Sequence, residues 1–185
     1  IIAEYNPFHN GHKLHLDQTK SELSDDIVLV MSPNYVQRGE PAILDKWTRT
    51  LMALENGVSV VIEMPTPFAT SSAELFALAG VTLLERTGII NTISFGSESG
   101  NIETLSEIAS ILTTETDEYK NHLKNYLSQG LVFPAARAKA LSTILPIDDN
   151  VINNPNNILA IEYIKSLKNI ESSMKPYTVQ REKVG

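Results

Sequence analysis

The sequence predicts an α/β fold: a Rossmann-like parallel sheet with helices on both faces, followed by additional helices. Three observations carry this. Ile1-Ile2-Ala3, Ile27 to Met31, Val58 to Met64 and Asn91 to Phe95 are short, largely apolar runs, of the length and character of strands buried in a parallel sheet. Each leads on to a stretch of helical periodicity, and repeated βα units bring helices onto both faces. Polar, glycine-bearing connections leave the carboxyl ends of the first and fourth runs, where open α/β sheets bind their ligands. Gly-x-Gly-x-x-Gly does not follow the first run and no Walker A pattern occurs, so nicotinamide and P-loop readings are poor.

Taken in order, the first helix runs to about Leu23, with Leu14, Leu16 and Leu23 as apolar positions. After the second strand, Ser32 to Leu44 is a long polar connection, and connections of that length often carry function. Asp45 is placed to cap a helix that ends at Asn56-Gly57. Within it Trp47, Leu51 and Leu54 fall at i, i+4 and i+7 and are expected to face the core. Lys46 and Arg49 lie off that stripe, where an anionic ligand would offset their unfavourable position at the positive helix end. Pro65 and Pro67 close the third strand, and Ser71 or Ser72 caps a helix to Arg86. The fourth strand ends in the small-residue loop Gly96 to Gly100, ahead of a helix from Ile102 to Leu112. Helices are then expected at Asp117 to Ser128, Pro134 to Ile144 and Ile158 to Leu167, the last preceded by asparagines that could cap it or bond a ligand. A final strand, Met174 to Gln180, leads to Arg181.

The chain has 185 residues, 42% of them hydrophobic, enough for one domain with a sizeable core. It carries 15 Lys and Arg against 22 Asp and Glu, a net charge of −7, which argues against a nucleic-acid-binding surface over the whole molecule and leaves room for a local basic patch. Arg38, Lys46 and Arg49 are the candidates for that patch. Toward the end, basic residues from Lys165 to Lys183 interleave with Glu171 and Glu182. Cysteine is absent, which excludes disulfides, thiolate catalysis and cysteine metal sites. No run is long and apolar enough to span a bilayer and no signal peptide is visible, so a cytoplasmic protein with no membrane partner is expected. The start at Ile1, without Met and apparently inside a strand, suggests part of a longer protein.

The chemistry concentrates in Glu4-Tyr5-Asn6-Pro7-Phe8-His9-Asn10-Gly11-His12. His9 and His12 share a face once a helix begins. Free backbone N–H groups and the positive dipole end attract phosphate there. Gly11 admits a ligand close to the backbone, and imidazole donates to phosphate oxygen at neutral pH. A metal reading of His9, His12 and His15 is weaker, because single-face zinc pairs come at i, i+4 and no acidic or cysteine ligand stands in the repeat.

His-x-Gly-His resembles the signature of the nucleotidyltransferase and class I aminoacyl-tRNA synthetase superfamily. Four further stretches narrow it: Gln37-Arg38-Gly39-Glu40-Pro41-Ala42, Asp45-Lys46-Trp47-Thr48-Arg49, Phe95-Gly96-Ser97-Glu98 and Pro155-Asn156-Asn157-Ile158-Leu159. In this order they resemble the N-terminal catalytic domain of the tRNA(Met) cytidine acetate ligase family. That resemblance implies activation of acetate by ATP as acetyl-adenylate, then acetylation of the wobble cytidine of elongator tRNA(Met). It implies ATP contacts at Ile2, Ala3, Glu4, Tyr5, Asn6, Pro7, Phe8, His9, Asn10, Gly11, His12, Lys13, Leu14 and His15, and at Gly96, Asn156 and Arg181. Asn156 is preferred over its neighbour Asn157. His9 and His12 would be the catalytic pair, and Mg²⁺ would accompany the triphosphate. Residues 1–185 would form the catalytic domain, the tRNA-binding part lying C-terminal to it. Two rival readings stand beside this one. An adenylyltransferase acting on a small phosphorylated metabolite would usually carry a late Ser-Thr-x-x-Arg motif, of which Thr178-Val179-Gln180-Arg181 keeps Thr and Arg. A nucleotide-binding module without turnover would not require both histidines.

Overall fold

A computed structural model describes residues 1–23 and 26–181, apart from the side chains of Asp149 and Asn150. Glu182 and Lys183, the end of the interleaved charged segment, lie outside the described residues. The strands are β1 (Ile2–Ala3), β2 (Val28–Met31), β3 (Val60–Glu63), β4 (Thr92–Ser97) and β5 (Lys175–Gln180). The helices are α1 (Asn10–Leu23), α2 (Lys46–Glu55), α3 (Thr66–Ala69), α4 (Ala73–Glu85), α5 (Ile102–Thr114), α6 (Asp117–Ser128), α7 (Phe133–Ile144), α8 (Asp149–Asn153) and α9 (Pro155–Asn169).

Every named pairing is parallel, as strands joined by helical crossovers must be. One sheet has the order β1-β2-β3, with Ile2 beside Val30 and Val28 to Met31 beside Val60 to Glu63. The second pairs β4 with β5, from Thr92 beside Lys175 to Ser97 beside Gln180. Helix α1 ties the two together: His15 Nε2 and Thr19 Oγ1 lie 2.9 and 2.7 Å from Ser94 Oγ on β4. The main core joins α4 (Phe76, Ala77, Val81, Leu84) to α9 (Ala160, Ile161, Ile164), with Ile93 and Phe95 of β4 and Ile108 of α5. Each of the larger side chains among them, Val, Leu, Ile or Phe, contributes roughly 1.5–3 kcal/mol through burial. At Gly80 an added Cβ would lie 2.6 Å from Ile2 Cδ1, so the glycine lets α4 approach β1.

The expected α/β architecture with parallel strands and flanking helices is present. Ser72 accepts from the backbone of Leu75 at the start of α4, and Asp45 accepts from Trp47 and Thr48 at the start of α2. Four details differ from the sequence reading. Trp47, Leu51 and Leu54 do not face the core; they are 70%, 58% and 41% exposed, and Arg49 and Ala53 are buried instead. The apolar period is real, but the inward side of α2 meets backbone carbonyls that need a cation. β3 is the sheet edge, so Val60 is half exposed rather than buried. β4 extends through Gly96 and Ser97, because β5 pairs with it along its whole length. Asn156 and Asn157 lie inside α9, whose first residue is Pro155, a position where proline's missing N–H costs nothing. The short helices α3 and α8 gave no periodic signal.

Candidate active site

β1, α1, the Val36–Glu40 turn, β4, the start of α9 and Arg181 surround a cleft of about 620 Å³. Its lining includes Ile2, Ala3, Glu4, Tyr5, Asn6, Pro7, His9, Gly11, His12, His15, Gly96, Asn156 and Arg181, and also Arg38. Phe8, Asn10, Lys13 and Leu14 belong to the same segment but are not among the lining residues. Val36, Gln37, Glu40, Phe76, Phe95, Leu159 and Tyr163 also line the cleft. A core side chain and a pocket wall share one hydropathy, so the sequence does not mark Phe76 or Tyr163 as cleft wall.

The turn from β1 into α1 is held from three directions. Glu4 Oε1 accepts from Gln37 N at 2.6 Å, and Asn6 Oδ1 accepts from Ile43 N at 2.7 Å. Arg49 Nη1 donates to the carbonyls of Glu4, at 2.6 Å, and Ser32, at 3.0 Å. Its Nε donates to Leu44 O at 3.0 Å and its Nη2 to Pro33 O. Arg49 is fully buried with its donors spent on backbone, so it is removed from the expected surface patch. Lys46 lies outside the cleft and pairs with Glu63 at 2.5 Å. Arg38 remains exposed at the rim.

His9 and His12 stack with ring centroids 3.7 Å apart. Gly11 N donates to His9 Nδ1 at 3.0 Å and His9 N donates to His12 Nδ1 at 3.3 Å. An Nδ1 that accepts leaves a neutral ring's proton on Nε2. Burial lowers the His12 pKa to about 3, with His9, Arg181 and His15 pushing the same way. His12 is therefore neutral at pH 7, a hydrogen-bond donor without charge. Burial likewise lowers His15 to about 4. An added Cβ at Gly11 would lie 2.9 Å from His9 Cε1, so the glycine makes room for the imidazole.

Also lining the cleft, Arg181 donates through Nη1 to Asn156 Oδ1 at 2.9 Å. Its stem crosses Gly96, where an added Cβ would sit 3.3 Å from Arg181 Cγ. Besides Arg181, Asn156 meets Glu98 of the β4–α5 connection, and Asn157 Oδ1 accepts from the backbone of Glu98 and Ser99 there. Glu98 was legible only as part of the Phe95-Gly96-Ser97-Glu98 stretch.

A cleft lined by a His-x-Gly-His turn and an arginine offers hydrogen-bond donors of the kind that phosphate oxygens accept from. The family model described as HIGH Nucleotidyl Transferase matches residues 1–185. The chain belongs to this HIGH nucleotidyl transferase family. The chain is 52% identical over 193 residues to the tRNA(Met) cytidine acetate ligase of Clostridium perfringens, covering 98% of the chain and 48% of that protein. It is 50% identical to the Halothermothrix orenii protein of the same name, covering 100% of the chain and 46% of the relative. A crystal structure of Thermotoga maritima TmcAL bound with alpha-thio ATP superposes with a TM-score of 0.91 at 41% identity, covering 98% of this chain and 45% of that one. The chain thus spans about half the length of the relatives it matches.

Proposed function

We propose that this chain is the ATP-handling half of a tRNA(Met) cytidine acetate ligase. The observation that carries the reading is the convergence of the His-x-Gly-His turn, Gly96, Asn156 and Arg181 on one cleft, in a chain about half identical to proteins of that name. The neighbour's alpha-thio ATP supports ATP as the nucleotide here. In the first step an acetate oxygen attacks the α-phosphorus in line, the bond to the bridging oxygen breaks, and pyrophosphate leaves. Acetyl-adenylate then meets the exocyclic amine of the wobble cytidine; the new C–N bond expels AMP and the amine gives up a proton.

The protein's part is positioning and electrostatic stabilisation. Through their Nε2–H groups His9 and His12 bond the phosphoryl oxygens where charge develops. Arg181, always charged, holds the triphosphate. Gly96, having no side chain, lets the arginine stem lie against the backbone beside the nucleotide. Mg²⁺ belongs to this reading as part of MgATP. Among the described residues no three His, Cys, Asp or Glu side chains gather as a metal cluster, which suits an ion held mainly by phosphates and water. A tRNA substrate supports a cytoplasmic setting for the full-length protein.

The test is acetate-dependent exchange of pyrophosphate into ATP by the full-length protein, with trapping of the product. Exchange that requires acetate and yields acetyl-adenylate is the expected result. A dinucleotide formed from a phosphorylated metabolite would replace this reading with the adenylyltransferase one.

A further inference from the structure

Glu98 is not among the residues that line the cleft, yet it bonds Asn156, which is, and Asn157 beside it. Its Oε1 accepts from Asn156 Nδ2 at 2.7 Å and from the Asn156 backbone N–H at 3.4 Å, and its Oε2 accepts from the Asn157 backbone N–H at 3.0 Å. In return Asn157 Oδ1 accepts from the backbone N–H groups of Glu98, at 2.9 Å, and Ser99, at 3.2 Å. The first turn of α9 has no side-chain cap from Asn154. A carboxylate from another element therefore satisfies its free N–H groups, at the end of the helix that favours negative charge.

The same carboxylate sets the orientation of the Asn156 amide. A carboxylate only accepts and a guanidinium only donates. With Glu98 on one side, Nδ2 must face it, and Oδ1 is left turned toward Arg181 Nη1 at 2.9 Å. We propose that Glu98 is a positioning residue for nucleotide binding: through Asn156 it aims the Arg181 guanidinium across Gly96 at the triphosphate. The neutral amide matters as much as the geometry. It fixes the guanidinium without neutralising it, so the positive charge stays available to phosphate. A carboxylate at position 156 would pair with Arg181, compete with the ligand and repel Glu98.

The proposal rests on the ATP reading given above, and its test separates the two. ATP affinity is measured by calorimetry on the full-length protein without acetate or tRNA. Glu98→Gln keeps the size but sets an amide N–H against donors of α9. It should weaken ATP binding by roughly tenfold, as expected for losing charge-assisted bonds. In exchange kinetics the loss should fall on KM for ATP, with kcat within about threefold. Because Glu98 acts through Arg181, Glu98→Gln in an Arg181→Ala background should add less than about twofold. Asn156→Asp leaves Glu98 in place and should weaken binding at least as much as Arg181→Ala; it carries the test if Glu98→Gln does not fold. Unchanged affinity in either variant, or full multiplication of losses in the double variant, would overturn the proposal. Failure of the unmutated protein to bind ATP would instead overturn the functional reading beneath it.

Discussion

His9 and His12 lie with ring planes 26° from parallel and centroids 3.7 Å apart, each Nδ1 accepting a backbone N–H. The backbone thereby chooses the tautomer, and both Nε2–H groups become donors. His12→Ala should reduce turnover in pyrophosphate exchange by on the order of 100-fold, the cost of losing one oxyanion-type donor, with a smaller change in ATP affinity. His12→Gln, whose amide can place an N–H near the former Nε2, should retain more activity than His12→Ala. Near-normal exchange by the alanine variant would remove His12 from the chemistry.

Arg49 behaves as a structural pin. It joins the β1–α1 turn, the segment after β2 and the residue before Asp45 through their carbonyl oxygens. Arg49→Ala leaves those carbonyls buried without donors, at about 1–3 kcal/mol for each that water cannot reach. The unfolding free energy should fall by roughly 3 kcal/mol or more, read from the denaturant midpoint. Arg49→Lys should recover little, because one ammonium cannot span the fork's partners. A loss under about 0.5 kcal/mol, the surface norm, would show that the carbonyls find other partners.

Folding disfavours protonation of both His12 and His15, whose pKa values fall to about 3 and about 4. Above the ordinary histidine value of 6.5, folded and unfolded states are both neutral and pH has no effect through these groups. As pH drops below 6.5 the unfolded chain binds protons that the folded one refuses, so stability must decline until the folded values are reached. At pH 5 the loss should be on the order of 1–2 kcal/mol per histidine. Thermal melting between pH 7.5 and 4.5 measures it, and His15→Gln should flatten the profile. A His15→Gln profile as steep as the parent's would place the acid sensitivity elsewhere.

The sequence carried the parallel α/β plan because strand length, helix periodicity and capping residues are local signals. Asp45 and Ser72 could be read as caps before any contact was known. The inward face of α2 could not. Hydrophobic periodicity locates an apolar stripe but not its neighbour, so Trp47, Leu51 and Leu54 were assigned to a core that holds Arg49 instead. Phe76 and Phe95 were legible as apolar and hidden as cleft wall, since that distinction depends on what is left empty beside them. The pairing of Glu98 with Asn156 and Asn157 joins residues 58 and 59 positions apart, and no local pattern reports it.

The basic patch anticipated beside the cleft also changes in the structure, and with it the expectation for RNA. Arg49 is buried, and Lys46 is engaged by Glu63 at 2.5 Å and lies 5.1 Å from the centre of the Trp47 ring. That leaves Arg38 as the exposed member of the trio, on a chain of net charge −7. Affinity for a polynucleotide depends on how many phosphates are neutralised, and each contact steepens the dependence on salt. Residues 1–185 alone should therefore bind tRNA weakly and with a shallow slope of log affinity against log salt. The full-length protein should bind far more tightly and with a steeper slope. Arg38→Ala in the full-length protein should lower that slope by about one if Arg38 meets a phosphate. Filter binding at several salt concentrations measures all three. Tight tRNA binding by residues 1–185 would move the RNA surface onto this part of the protein and assign it to residues other than this trio.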